Sequence, residues 1–206
     1  MNLFFVVFAA LFSIMNPLGT VPVFLGLTKE KTKKEIISIA FYASLNVFII
    51  LLISFFLGKY LLIFFGISIQ SLKIAGGMII TTSGFALLTG SFSRHKGMKK
   101  SVEVDASKRS DITLTPLAIP MLAGPGTISL LITYNQTYNS IEEIIILSAA
   151  MLSISILTFF ILRSSNIIVK FLGASGLNAL SRIIGFIVIA IGVEYILSVI
   201  LQIMKH

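Results

Sequence analysis

Residues 2–27, NLFFVVFAALFSIMNPLGTVPVFLGL, contain no charged side chain, and the first Lys or Arg in the chain is Lys29. At about 1.5 Å of rise per helical residue, such a stretch is long enough to cross the roughly 30 Å hydrocarbon core of a bilayer. No basic residue precedes the run and no A-x-A site closes it, so it reads as a mature first span and not as a signal peptide. Its centre, Asn16-Pro17-Leu18-Gly19-Thr20-Val21-Pro22, is unsuited to a continuous helix. A helix-interior proline removes a backbone donor and clashes with the carbonyl four residues back, at about 3 kcal/mol or more. Pro17 would disturb Ser13, and Pro22 would disturb Leu18.

Outward from this segment the chain repeats the same apolar theme. Further spans are expected near Ile36–Leu57, Leu72–Thr89, Ile112–Tyr134, Ile144–Leu162 and Ile183–Met204. Leu61–Ile69 is too short to cross alone and should extend the second span or lie at the interface. The chain is 56% hydrophobic and only 12% charged, too few charges to clothe a soluble domain of 206 residues. The lipid bilayer is therefore the expected partner.

The charges set the orientation. Lys29, Lys31, Lys33 and Lys34 fall in the first connection, and Arg94, Lys96, Lys99, Lys100, Lys108 and Arg109 in the third. Arg163, Lys170 and Arg182 fall in the fifth, which leaves Lys59, Lys73 and Lys205 on the other side. This thirteen-to-three split of the 16 basic residues places the loops near 28–35, 91–111 and 163–182 in the cytoplasm and both termini outside. It also accounts for the net charge of +8 without nucleic acid. No cysteine is present, which excludes disulfides, thiol nucleophiles and iron–sulfur clusters.

Two short likenesses relate the halves. Pro17-Leu18-Gly19-Thr20 resembles Gly124-Pro125-Gly126-Thr127, and Lys73-Ile74-Ala75-Gly76 resembles Arg182-Ile183-Ile184-Gly185. The offsets, 107 and 109 residues, are nearly one shift. Three spans per half is an odd number, so the second half enters the membrane from the opposite face. The expected fold is an all-α integral membrane protein of six transmembrane helices. They form two inverted three-helix repeats, residues 1–90 and 112–206, joined by a basic linker, 91–111, with the first and fourth helices broken.

Freed backbone groups are tolerated in a membrane only when buried in protein or facing a polar cavity. The breaks are either packing kinks patched by nearby polar residues or the walls of a binding site. Paired interruptions at matching positions favour the second. Asn16, Pro17, Gly19, Thr20, Gly124, Pro125, Gly126 and Thr127 are the candidate substrate-binding residues. A helix restarting at Thr20 or Thr127 would offer bare N–H groups to a carboxylate, and the half-helix ending there would offer carbonyls to an ammonium group. A small zwitterionic solute fits both. Glu194, the one acid inside a span, is a candidate for proton coupling or a neutral interhelical hydrogen-bond partner. Asn46 and its counterpart Ser153 are candidate secondary polar contacts, more often interhelical than ligand-binding. No metal or cofactor is expected. His95 and His206 make no H-E-x-x-H site, no span holds a pair of acids, and no Ser–His pair lies within the membrane, so no enzyme is expected either.

Residues 15–22 (MNPLGTVP), residues 119–128 (IPMLAGPGTI) and Arg182-Ile183-Ile184-Gly185 resemble the MarC family of bacterial inner-membrane proteins over essentially the whole chain. The resemblance implies a six-span inner-membrane protein with the breaks near its core. That family includes SnatA-type transporters of small neutral amino acids, so the resemblance implies a secondary transporter or exporter of such solutes that works by alternating access. A passive channel for another small solute and a non-transporting scaffold subunit are the rival expectations. The substrate, direction, coupling ion and oligomeric state are not legible in one sequence.

Overall fold

A computed structural model describes residues 3–90 and 112–204. The linker expected at 91–111 lies outside the described residues. Among the described residues the chain is helical, with no strand. The first span is α1 (Leu3–Met15) followed by α2 (Pro17–Leu27). The second is α3 (Lys33–Phe65), the third α4 (Ile69–Leu88), and the fourth combines α5 (Thr113–Leu122) with α6 (Pro125–Thr137). The fifth is α7 (Ile141–Arg163) and the sixth belongs to α8 (Ser165–Met204). Five segments qualify singly as membrane spans, and α5 with α6, bent by 67°, makes a sixth.

Local chemistry explains the helix ends. Thr32 and Glu35 form a reciprocal capping box at the start of α3, and Ser140 and Glu143 form another at the start of α7. At 33 residues α3 is about 50 Å long, well beyond the hydrocarbon thickness. It absorbs Leu61–Phe65 as a continuation of the second span and stops at Gly66, whose φ of 62° suits a residue without a Cβ.

The expected loop at 163–182 is not a loop. Helix resumes at Ser165 and is interrupted only at Gly173, where φ is 67°, and the apolar span begins at Ser175. The reason is amphipathic patterning: Ile168 and Val169 pack against Val21, Ile161 and Leu177, while Ile167, Lys170 and Phe171 face outward. A short helix of this kind lies well at a membrane surface.

The helices of the first half pack chiefly on those of the second. α3 lies against α5, α6 and α7; α1 and α2 lie against α7 and α8; α4 lies against α6 and α8. The α4–α8 pair is antiparallel and its backbones nearly touch. A Cβ added to Gly77 would come 2.7 Å from the Gly192 carbonyl oxygen, and one added to Gly84 would come 2.7 Å from that of Gly185. Small residues permit such approach where lipid supplies no hydrophobic drive between helices. The common core runs from Val7, Leu11 and Met15 through Val47, Leu51 and Phe55 to Leu130, Leu131, Leu147 and Ile154. Many large apolar side chains remain exposed outside it, among them Phe56, Phe64, Phe160 and Phe186, as befits a lipid-facing surface.

Candidate functional site

The first break is confined to Asn16. Its backbone adopts φ 45°, ψ 64°, a left-handed conformation that asparagine tolerates better than most residues. The helical bonds nearly close around it, since its N–H donates to the Phe12 carbonyl at 3.0 Å and its own carbonyl accepts from the Thr20 N–H at 3.3 Å. The Asn16 side-chain Oδ1 accepts from the Gly19 N–H at 3.1 Å, capping α2. The Thr20 hydroxyl donates to the Asn16 carbonyl at 3.3 Å. Helix therefore restarts at Pro17, not at Thr20 as the sequence suggests, because proline is well suited to a first helical position.

The second break is longer. Backbone leaves the helical region at Thr115 and Ile119, each preceding a proline, and the peptides to Pro116 and Pro120 are cis. The residue before proline is pushed toward extended conformations, a signal in the sequence that picks out both positions. Helix restarts at Pro125, two residues earlier than expected, with Gly124 as a cap that has no side chain to offer. The starts of α2 and α6 thus differ. α2 is capped from within by Asn16, whereas α6 presents the N–H groups of Gly126 and Thr127 with no side-chain cap.

The breaks lie close together. A Cβ on Gly126 would sit 3.0 Å from Ile80 Cγ1 of α4 and 3.7 Å from Ile14 Cγ2, at the end of α1. Asn16, Pro17, Thr20, Gly124, Gly126 and Thr127 are all buried, while Gly19 is half-buried and Pro125 exposed. Two buried polar atoms at the breaks, Asn16 Nδ2 and Thr127 Oγ1, have no hydrogen-bond partner among the described residues. Leaving such a group unmatched costs about 1–3 kcal/mol, so a polar guest at the breaks would be favoured.

Two cavities are lined by the helices on either side of the first break, one by α1 and the other by α2. One, of about 610 Å³, lies between α1 and α8 and is lined by Ala9, Ser13, Tyr134, Ala190, Glu194 and Tyr195, among others. The other, of about 180 Å³, reaches Gly19, Pro22 and Val23 on α2 from the far end of the bundle. Ser13 precedes Asn16 in the chain and Gly19 follows it, and Asn16 itself lines neither cavity.

The other candidates scatter. Glu194 is exposed to the larger cavity and is not tied between helices by any hydrogen bond among the described residues. Asn46 donates through Nδ2 to the Thr113 hydroxyl at 3.2 Å, joining α3 to α5. Ser153 is half-buried on α7 and lines neither cavity at the break. Ser129, which the sequence did not single out, donates to the Leu72 carbonyl at 3.2 Å and fills the notch at Gly76. Among the described residues no group of His, Asp or Glu could hold a metal.

Helical spans, a polar break within the bundle and an apolar outer surface define a multi-pass α-helical membrane protein. The chain belongs to the MarC family of integral membrane proteins, whose family model matches residues 1–204. The membrane protein YhcE of Escherichia coli is 34% identical over 195 residues, covering 95% of this chain and 90% of its own. The inner membrane protein MarC of Citrobacter koseri is 35% identical over 204 residues, covering 95% and 92%. A membrane protein of Aquifex aeolicus is 34% identical over 204 residues, covering 99% and 95%. No solved structure matches. Relatives named as inner-membrane proteins agree with a multi-pass chain in that membrane.

Proposed function

We propose that this protein is a secondary transporter of small neutral amino acids, built as two inverted halves that rock around the paired breaks. The observation that carries the proposal is a pair of cavities lined by the chain on either side of the buried first break, one by Ser13 and the other by Gly19. A carrier needs a site reachable from either face but not from both at once. Uncapped N–H groups at Gly126 and Thr127 and the unpartnered Nδ2 of Asn16 are all donors and suit the carboxylate of a zwitterion without a charged side chain.

The neighbour pattern supports inverted halves. Exchanging first for fourth, second for fifth and third for sixth spans turns each of the more extensive packings into another of them or into itself. The second span lies on the fourth as the fifth lies on the first; the third lies on the fourth as the sixth lies on the first. The basic bias favours an orientation with both termini outside and Arg182 toward the cytoplasm. Glu194, in the larger cavity, is the group placed to couple protons. No catalytic step is assigned.

Counterflow in proteoliposomes tests the proposal. Vesicles loaded with unlabelled alanine, glycine or serine should accumulate the labelled solute transiently, as only an alternating carrier does. Flux without counterflow would establish the passive channel instead, and no flux of any panel solute would leave the scaffold reading. Glu194→Gln should flatten the pH dependence of transport while counterflow persists; an unchanged pH profile would remove Glu194 from coupling.

A further inference from the structure

The 180 Å³ cavity differs in chemistry from the rest of the bundle. Its walls are Gly19 of α2, the end of α4 at Leu87 and Gly90, and Asn178, Ser181 and Arg182 of α8. Its lining is about half polar where the other cavities are mainly apolar, and no acid among the described residues lines it. Arg182 makes no ion pair with any described residue and is exposed. Opposite it, α4 terminates: the Thr89 N–H closes on the Phe85 carbonyl and the Gly90 N–H on that of Leu87. Helix C-termini keep carbonyls without intrahelical donors and carry the negative end of the macrodipole.

A guanidinium on one wall and a helix C-terminus on the other make a complementary pair of poles. The fork of Arg matches a carboxylate, and backbone carbonyls match an ammonium group. The volume falls below the roughly 300–1,000 Å³ typical of drug-sized ligand pockets, so the guest is small. The cavity reaches Gly19, whose N–H is held by the Asn16 side chain, so a guest here lies next to the break.

We infer that this cavity is a docking vestibule in which Arg182 binds the carboxylate of a small free amino acid while the end of α4 receives its ammonium group, before the solute passes to the break. This rests on the transporter reading above. A zwitterionic phospholipid headgroup carries similar poles, and the test distinguishes it from a free solute.

The test uses the full chain in oriented proteoliposomes, with labelled alanine as probe and alaninamide and propionate as competitors, each lacking one pole. For the wild type, both single-pole analogues should compete poorly. Arg182→Gln should raise the half-saturation for alanine about tenfold or more at the Arg182 face, the scale of one lost charge-assisted hydrogen bond, with the maximal rate and the opposite face unchanged. Arg182→Lys should recover part of the loss. Asn178→Asp, which sets an acid beside Arg182 without removing any large side chain, should weaken alanine in the same way and gives a second route should Arg182→Gln fail to fold. Equal half-saturation in Asn178→Asp, or equal losses at both faces, overturns the vestibule while leaving the carrier intact. A defect that follows phosphatidylethanolamine content instead of alanine concentration also overturns it, in favour of a lipid site. A wild type that moves no alanine, glycine or serine defeats the carrier reading itself, and the vestibule with it.

Discussion

Asn16 holds two jobs that substitution can pull apart. Its left-handed backbone costs most residues about 1–2 kcal/mol, and its side chain caps α2 through the Gly19 N–H. Asn16→Ala loses both and should destabilise the protein by roughly 1–2 kcal/mol, whereas Asn16→Gly, free of the backbone penalty, should cost only a few tenths. If the buried amide also meets the solute, Asn16→Gly should keep its melting temperature in detergent yet lose transport. Retained transport would reduce Asn16 to a structural cap. Gly19 is part of the same unit, because a Cβ there would lie 2.9 Å from Asn16 Cγ and against its amide nitrogen. Gly19→Ala should therefore displace the cap, and the double variant with Asn16→Gly should melt little below Gly19→Ala alone. Such coupling is what a shared contact predicts, and additive losses would break the link.

At the scale of elements, the α4–α8 crossing makes the firmest stability prediction. The glycine pairs Gly77–Gly192 and Gly84–Gly185 bring backbone against backbone, so no rotamer change can admit a methyl group. Gly84→Ala should cost about 1–3 kcal/mol, the range of overpacked cores, and Gly185→Ala a similar amount. Gly66→Ala, where a Cβ would meet nothing within 4 Å, should lose stability only through its left-handed backbone. Thermal unfolding in detergent, followed by circular dichroism, ranks the three; a Gly84→Ala variant as stable as wild type would mean that the helices separate freely. Much of this level was legible beforehand. Six apolar segments announced the spans because lipid demands length and apolarity, and Pro17, Pro120 and Pro125 announced the breaks. What stayed hidden was decided by neighbours or by fine backbone geometry. The helix at 165–172 shows in the sequence as charge and short apolar pieces, and it is held by packing on Val21 and Ile161. The restart points moved to Pro17 and Pro125 because a proline that ends one helix also begins the next. The candidate residues at the breaks could be listed from the sequence, but their burial, and the asymmetry between a capped α2 and an open α6, needed coordinates.

For the molecule as a whole, the decisive matter is whether the two cavities are ever open together. The chain has no native cysteine, so single cysteines can report on each space without a background. Ala9→Cys and Ala190→Cys place a thiol in the larger cavity, and Val23→Cys and Asn178→Cys place one in the smaller. Reaction with a small, membrane-impermeant thiol reagent, applied from one face at a time, measures access to each. In an alternating carrier a solute shifts the population between two conformers, and whatever raises access to one cavity must lower access to the other. Addition of alanine should therefore change the labelling rates at Ala190→Cys and Asn178→Cys in opposite directions, with a midpoint matching half-saturation of transport. A passive channel opens both spaces at once, and its rates would rise together. A scaffold has no differential affinity for alanine, so neither rate would move. The opposed response follows from the proposed carrier: Ser13 lines one cavity and Gly19 the other, and if the Asn16 break partitions them, a rocking bundle exposes only one side of it at a time.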